Sequence, residues 1–374
     1  MRQVVISGSG VFTPEAVITN TELVEAFNAY ADKQNALHAE AIEAGEREPI
    51  EHSNEEFIFK ASGIERRHVM DKEGVLNPDI MYPKLRQRDI EEPGIMTEMA
   101  VKAAEEALAK AGKTAADVDA VICAASNHER AYPAIAIEIQ DALGIDGFGF
   151  DMNVACSSAT FGIQSAADMI RSGSANCILM VNPEICSGHL EWRDRDCHFI
   201  FGDVCTAVVL EEMSQAVSNT QFEVLATRCL TQFSNNIRNN NGFLRRSRPD
   251  GVEDRRDMQF MQNGRQVFKQ VVPIVSDMVV KHCADEAVDS TKLDRMWLHQ
   301  ANKSMNDFIG RKVLGRVPEP SEQPNILQEY ANTSSAGSII AFSQNSDDLP
   351  VGSVGIICSF GAGYSVGNVI VKRL

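Results

Sequence analysis

Three residues of this 374-residue chain carry side chains suited to one chemistry: Cys156, His299 and Asn332. Cys156 lies between a strand-like run, Phe148 to Val154 (FGFDMNV), and Ser157 to Arg171, rich in Ala, Ser and Gln with apolar residues at helical spacing. A thiol at a helix N-terminus faces unsatisfied N–H groups and the positive end of the helix dipole. Both are expected to lower its pKa and favour the nucleophilic thiolate. Small residues on either side of Cys156 suggest a tight elbow, which separates it from the eight other cysteines, whose ordinary role is inert packing. His299 falls in Trp297 to Asn302 (WLHQAN), directly after an apolar run where a strand would end. Strand C-termini are where ligands bind in open parallel sheets, although His128, His189 and His198 compete for a catalytic role. Asn332, in Tyr330 to Gly337 (YANTSSAG), would by itself be a helix N-cap. Around one point, the three support thioester chemistry: the thiolate attacks an acyl thioester, and two neutral donors stabilise an enolate or oxyanion. Ser359 to Gly367 (SFGAGYSVG) adds a tight turn, Gly361 and Gly363 flanking Ala362, whose backbone N–H could reach an acyl oxygen. It is too irregular for a phosphate-binding GxGxxG, and Ser7 to Val11 (SGSGV) is weaker still.

Strands alternating with helices must position these groups. Gln3 to Ser7 (QVVIS), Ala120 to Ala125 (AVICAA), Cys177 to Val181 (CILMV) and Val354 to Ser359 (VGIICS) have the continuous apolar character of buried strands. Thr97 to Ala111 predicts an amphipathic helix with Thr97 as N-cap and Gly112 just past its end, and Ala134 to Leu143 predicts another. The alternation argues for an α/β protein with a parallel-rich sheet covered by helices. There is also an internal echo. Ala116 to Ala125 (ADVDAVICAA) resembles Lys292 to Ala301 (KLDRMWLHQA), and Ala155-Cys156-Ser157-Ser158 resembles Ala331-Asn332-Thr333-Ser334. A repeat of about half the chain predicts two similarly wound halves about a pseudo-twofold axis, split as residues 1–215 and 216–374. The axis would set Cys156 and Asn332 at equivalent positions, with His299 joining them from the end of a second-half strand. Two polar segments, Tyr30 to Glu51 and Asp71 to Gly94, fit neither template and are expected to be insertions or a cap over one face.

Composition narrows the class. Thirty-five Lys plus Arg against 52 Asp plus Glu give a formal net charge of −17, with 44% hydrophobic and 23% charged residues. That is an ordinary globular composition, and its acidity argues against nucleic-acid binding. An acidic protein partner needs only a local basic patch. The nine cysteines contain no CxxC pair; the closest two, Cys197 and Cys205, are eight apart, so no zinc or redox motif is indicated. The start, MRQVVISGSGVFTP, lacks the apolar core and cleavage site of a signal peptide, and no apolar run approaches about 18 residues. A reduced, cytoplasmic protein without a membrane span is expected.

The motifs resemble the thiolase-fold condensing enzymes, and within them the beta-ketoacyl-[acyl-carrier-protein] synthase III family. The resemblance runs from Ala16 to Glu22 (AVITNTE) through Ser62 to Arg67 (SGIERR), Ala131 to Gln140 (AYPAIAIEIQ), Cys156, Phe201-Gly202-Asp203 and Gly264 with Val267-Phe268-Lys269. It continues to His299-Gln300-Ala301-Asn302, Asn332 and the terminal glycine turn. The resemblance implies two pseudo-symmetric βαβαβ-type halves in an α-β-α-β-α arrangement of five layers, usually a homodimer. It implies a ping-pong Claisen condensation in which Cys156 takes an acyl group from acyl-CoA. His299 and Asn332 then help malonyl-acyl carrier protein lose carbon dioxide, and no metal or redox cofactor is required. The backbone N–H groups of Cys156 and Ala362 would form the oxyanion site. Arg311 and Lys312 match basic residues with which the family binds carrier protein, and Arg245, Arg246, Arg248, Arg255 and Arg256 form a second basic cluster by composition.

Departures from the family pattern carry their own expectations. The family's adenine-stacking Trp aligns with Phe57 and its partnering Arg with Ala61, so CoA is expected to be held differently. Tyr132 stands where the family commonly places a Phe that reaches the neighbouring subunit's acyl pocket. Together these suggest a primer other than acetyl, a medium-chain acyl-CoA. A degradative thiolase would need a GHP histidine where Asn332 stands, and Cys358, near its second cysteine, fits a packed strand. A hydroxymethylglutaryl-CoA-type synthase would need a Glu base that the sequence does not place. A head-to-head long-chain condensing enzyme and an acyltransferase of secondary metabolism stay open. A silent acyl- or carrier-binding partner is disfavoured by the intact triad.

Overall fold

The computed structural model describes residues 2–240 and 255–374. Nine strands form its main sheet: β1 (Val4–Phe12), β2 (Ala120–Ala124), β3 (Phe148–Met152), β4 (Cys177–Ile185), β5 (Asp203–Glu212), β6 (Phe222–Thr231), β7 (Arg295–Leu298), β8 (Val354–Gly361) and β9 (Ser365–Arg373). Eight helices matter to it: α1 (Asn20–Leu37), α2 (Glu55–Ser62), α3 (Ile95–Ala111), α4 (Ile135–Leu143), α5 (Ser158–Ser172), α6 (Gly264–Asp285), α7 (Lys303–Leu314) and α8 (Gly337–Gln344). The order across the sheet is β7-β8-β9-β6-β1-β5-β4-β2-β3. Two sets of strands therefore meet where β1 and β6 pair antiparallel through Val5 with Glu223 and Ile6 with Phe222. Among the described residues, the second set has no strand matching β3.

The apolar residues sort into layers. Along β2, Ala120, Ile122 and Ala124 face a central core that also holds α5 and α8, while Val121 and Cys123 face α3 and α4. Along β8, Ile357 points to that central core, while Ile356, Cys358 and Phe360 pack on α6 and α7. A strand buried on both faces needs a continuous apolar run, which explains AVICA and GIIC. The result is five layers: α3/α4, sheet, α5/α8, sheet, α6/α7. This is the thiolase-like α/β arrangement expected.

Pairing differs from the expectation of a parallel-rich sheet. β2 runs parallel to β3 and β4, and β7 to β8. The β1–β5, β1–β6, β4–β5, β8–β9 and β6–β9 pairs are antiparallel. In each half the last strand turns straight back on its predecessor instead of crossing over through a helix. The first turn of α3 also differs. Its N-cap is Gly94, not Thr97. The Glu129 carboxylate accepts the N–H groups of Ile95 and Met96, and Glu138 accepts the Gly94 N–H and the Thr97 hydroxyl. Capping by residues more than thirty positions away leaves no local sequence signal.

The two polar segments are ordered. Tyr30 to Leu37 form the last turns of α1, followed by a short helix Ala39–Glu43, and Asp71 caps another at Lys72–Leu76. They share an apolar core of their own, with Phe27, Ile58, Met81, Trp192 and Phe199 buried together. No described helix is long and apolar enough to cross a membrane.

Candidate active site

Cys156 sits in a short turn, Ala155–Ser157, between β3 and α5. Ala155 takes φ of 48°, a left-handed conformation that aims the next side chain away from the helix. A matching turn, Ser334–Ala336, precedes α8, with Ser334 at φ of 50°. The structural counterpart of Cys156 is therefore Ser335, not Asn332. The sequence echo is offset by three residues because the second half replaces a β3-like strand with the helical segment Leu327–Tyr330. Asn332 instead forms a bridge with Phe201, its N–H donating to the Ile200 carbonyl and its carbonyl accepting from Gly202.

The three side chains nevertheless meet. Cys156, His299 and Asn332 line one cavity of about 480 Å³, whose walls are largely apolar and include Phe199, Phe201, Phe260 and Phe360. The Ser334 hydroxyl donates to Cys156 Sγ at 3.5 Å, and the Ser334 N–H donates to Asn332 Oδ1 at 2.9 Å. That bond fixes the amide plane, and no described residue takes the Asn332 Nδ2 donor. Gly361 passes so close that an added Cβ would lie 2.6 Å from Cys156 Cβ and 3.0 Å from Sγ. A second cavity of about 260 Å³ shares Cys156, Phe201, Ile237 and Phe260 with the first and reaches Ala362.

Burial dominates the electrostatics. It pushes the Cys156 thiol up to about 11, against the pull of the Ser334 hydroxyl and the backbone N–H groups of Ala362 and Cys156 itself, and with a smaller push from the Glu184 charge. The helix N-terminus does not make a resting thiolate, contrary to the expectation from sequence: desolvation of a buried sulfur outweighs the aligned donors. Both of these N–H groups, of Ala362 and of Cys156 itself, are directed at the sulfur. Burial likewise lowers His299 to about 4 against the smaller opposing pull of the Ser334 backbone, so its imidazole is neutral near pH 7, and Nδ1 has no partner among the described residues. The ring packs edge-on to Phe360 at 5.2 Å, and Asn306 Nδ2 donates to the His299 carbonyl at 3.0 Å. Cys358 is fully buried in the α6/α7 core, as a packing residue should be. Cys123, His128 and Asp151 cluster within 4.8 Å, but Asp151 spends both oxygens on the N–H groups of Ile135 and Ala136 at the start of α4.

Comparison with known proteins gives the family. Residues 150–230 and 283–373 match the family models described as 3-oxoacyl-[acyl-carrier-protein (ACP)] synthase III and its C-terminal part. The chain is 57% identical over 350 residues to a beta-ketodecanoyl-[acyl-carrier-protein] synthase of Pseudomonas aeruginosa, spanning 94% of this chain and 100% of that one. It is 28% identical over 377 residues to a beta-ketoacyl-[acyl-carrier-protein] synthase III of Granulibacter bethesdensis, spanning 100% of both. The chain belongs to the 3-oxoacyl-[acyl-carrier-protein] synthase III family. As a synthase III it is an acyltransferase-type condensing enzyme of fatty acid biosynthesis. Its fold is that of the synthase III structure from Aquifex aeolicus, at a TM-score of 0.76 and 23% identity over 99% of both chains. The same fold recurs in OleA from Xanthomonas campestris, crystallised with lauric acid and lauroyl-CoA, at 0.74 and 16% over 99% of both.

The remaining expected site residues of this synthase III lie further off. Arg311 and Lys312 are exposed in the last turn of α7, about 12 Å along the helix from Lys303. The cations that line the main cavity are Arg265 and Lys269, both exposed on α6. Tyr132 is 85% exposed and lines neither cavity of its own chain. Arg245, Arg246, Arg248 and the side chain of Arg255 lie outside the described residues; Arg256 pairs with Asp194 at 2.9 Å. One residue that the sequence did not reveal is Arg195, whose guanidinium lies 4.4 Å over the Phe57 ring. Its neighbour Asp196 lines the cavity with Ala61 and Ser62. No motif marks Arg195, because its partner lies over a hundred residues away.

Proposed function

We propose that this synthase III condenses a medium-chain, octanoyl-length acyl-CoA with malonyl-acyl carrier protein. The observation that carries the reading is the shared apolar cavity in which Cys156, His299 and Asn332 converge. The chain length rests on the 57% identical Pseudomonas protein, whose name specifies a ten-carbon 3-oxoacyl product. In the first half-reaction Cys156 sulfur attacks the primer carbonyl, the carbon–sulfur bond to CoA breaks, and the thiol proton leaves with CoA. The N–H groups of Cys156 and Ala362 hold the oxyanion. Because burial pushes the resting thiol up to about 11, the thiolate is a small fraction near pH 7.

In the second half-reaction the malonyl thioester loses carbon dioxide, and neutral His299 and the Asn332 amide stabilise the enolate oxygen. The enolate carbon attacks the acyl-Cys156 carbonyl, and collapse expels the sulfur to leave a 3-oxoacyl thioester two carbons longer. Decarboxylation supplies the driving force, so this reaction calls for no metal or redox cofactor. The two cavities that share Cys156 would leave room for an acyl tail in one and a thioester arm in the other. The stacked Phe57 and Arg195 offer a flat face for the CoA adenine. Arg265 and Lys269, with Arg311 and Lys312 beyond them, would meet the acidic carrier protein. Tyr132 fits a role only in a homodimer, where it would reach a partner's acyl cavity. A cytoplasmic site suits the free cysteines. Mass spectrometry after incubation with acyl-CoAs of graded length tests the reading. An adduct on Cys156 that peaks at octanoyl supports it, and a preference for acetyl overturns the chain length.

A further inference from the structure

The condensation uses side chains from both halves of the molecule, and one buried carboxylate joins the two loops that carry them. Glu184, on β4, is 1% exposed. It accepts the Ser126 N–H at 3.0 Å and hydroxyl at 2.5 Å, and also the N–H at 3.2 Å and hydroxyl of Ser335. Ser126 follows β2, and its carbonyl accepts Asn153 Nδ2 at 2.8 Å. Asn153 Oδ1 in turn accepts the N–H of Ala155, the residue before Cys156, at 2.9 Å. Ser335 follows Ser334, which contacts both Asn332 Oδ1 and Cys156 Sγ. Two short chains of hydrogen bonds thus leave Glu184 and end at the nucleophile turn on one side and at the Asn332 loop on the other. Among the described residues no cation pairs with the carboxylate: its hydrogen-bond partners are serines and a thiol, with Cys186 Sγ at 3.9 Å. A buried carboxylate without a cation is costly unless its hydrogen bonds are nearly complete, so a group kept under those terms needs a reason.

We propose that Glu184 is a positioning residue for both half-reactions, clamping the Cys156 turn and the Asn332–Ser335 loop in register. It touches no substrate. It acts by fixing the distance between the sulfur of the first half and the enolate-stabilising groups of the second, where a drift of about 1 Å would cost on the order of a hundredfold in rate. Burial pushes its carboxyl up to about 7, while the four donors from Ser126 and Ser335 favour the ionised form. This inference rests on the condensing role of Cys156, His299 and Asn332 proposed above.

The test separates the two half-reactions in the full-length protein. One assay follows acyl-Cys156 formation from octanoyl-CoA; the other follows carbon dioxide release from malonyl-acyl carrier protein. Glu184→Gln keeps the side-chain volume but cannot accept from all four donors, and both rates are expected to fall roughly a hundredfold with KM for octanoyl-CoA unchanged. Ser335→Ala removes one donor on the Asn332 side only. It is expected to slow carbon dioxide release about tenfold and to leave acylation within a factor of two or three. A general loss of folding would lower both rates together and would not produce that split. Wild-type rates in Glu184→Gln overturn the inference, as does a Ser335→Ala variant that slows acylation as much as decarboxylation or slows neither. Should Glu184→Gln fail to fold, the Ser335→Ala split decides alone. If wild-type protein forms no adduct at all, the fault lies with the condensing reading and not with Glu184.

Discussion

Two turns in this protein have nearly the same backbone and opposite fates. Ala155–Ser157 and Ser334–Ala336 each enter a central helix through a left-handed residue, at φ of 48° and 50°. The first presents Cys156 to a cavity with donors converging on its sulfur. The second buries Ser335 against Glu184, while its neighbours Ser334 and Asn332 face Cys156 and the cavity. The two turns therefore share a backbone geometry. What distinguishes them is the space beyond the side chain: open volume on one side, a carboxylate on the other.

The sharpest way to break the comparison is to empty the first turn. Cys156→Ala should abolish the acyl adduct and reduce condensation by about 10⁴-fold or more, as expected of a lost nucleophile, measured by product formation from octanoyl-CoA. Asn332→Ala should follow with a loss of roughly 10²- to 10³-fold in carbon dioxide release, since one donor to a developing oxyanion disappears. Acylation of Cys156 should fall much less.

Smaller effects sharpen it. Because the free thiol is raised to about 11, its thiolate fraction rises about tenfold per pH unit below that value. Iodoacetamide labelling of Cys156 should therefore keep accelerating up to about pH 11, and a plateau near pH 7 would contradict the burial argument. Lys269→Glu, at the cavity mouth, should raise KM for malonyl-acyl carrier protein roughly tenfold, and less at high salt, with acylation by octanoyl-CoA little changed. Finally, Ser335→Cys should gain no acyl group: mass spectrometry should still find a single adduct per chain. A second adduct would mean that the second turn is as open as the first.

Much of the site was legible because its pieces are local. Cys156 between small residues, HQAN after a strand and the SFGAG turn each declare themselves within a few positions. Arg195 and Glu184 do not. A lone Arg gains meaning only when its guanidinium meets Phe57, and a lone Glu only when Ser126 and Ser335 converge on it. The equivalence of Cys156 with Asn332 fails for a related reason: the two tetrapeptides share letters, while the turn that matches Ala155–Ser157 in backbone is Ser334–Ala336, three positions further on.

The amino-acid sequence alone determined the family and the alternation of strands with helices, since periodicity and motif spacing are properties of neighbouring residues. Tertiary structure alone decided the ionisation of the reacting groups. Cys156 ended as a thiol and His299 as a neutral ring because desolvation is set by everything packed around a side chain, and those atoms arrive from both halves of the chain.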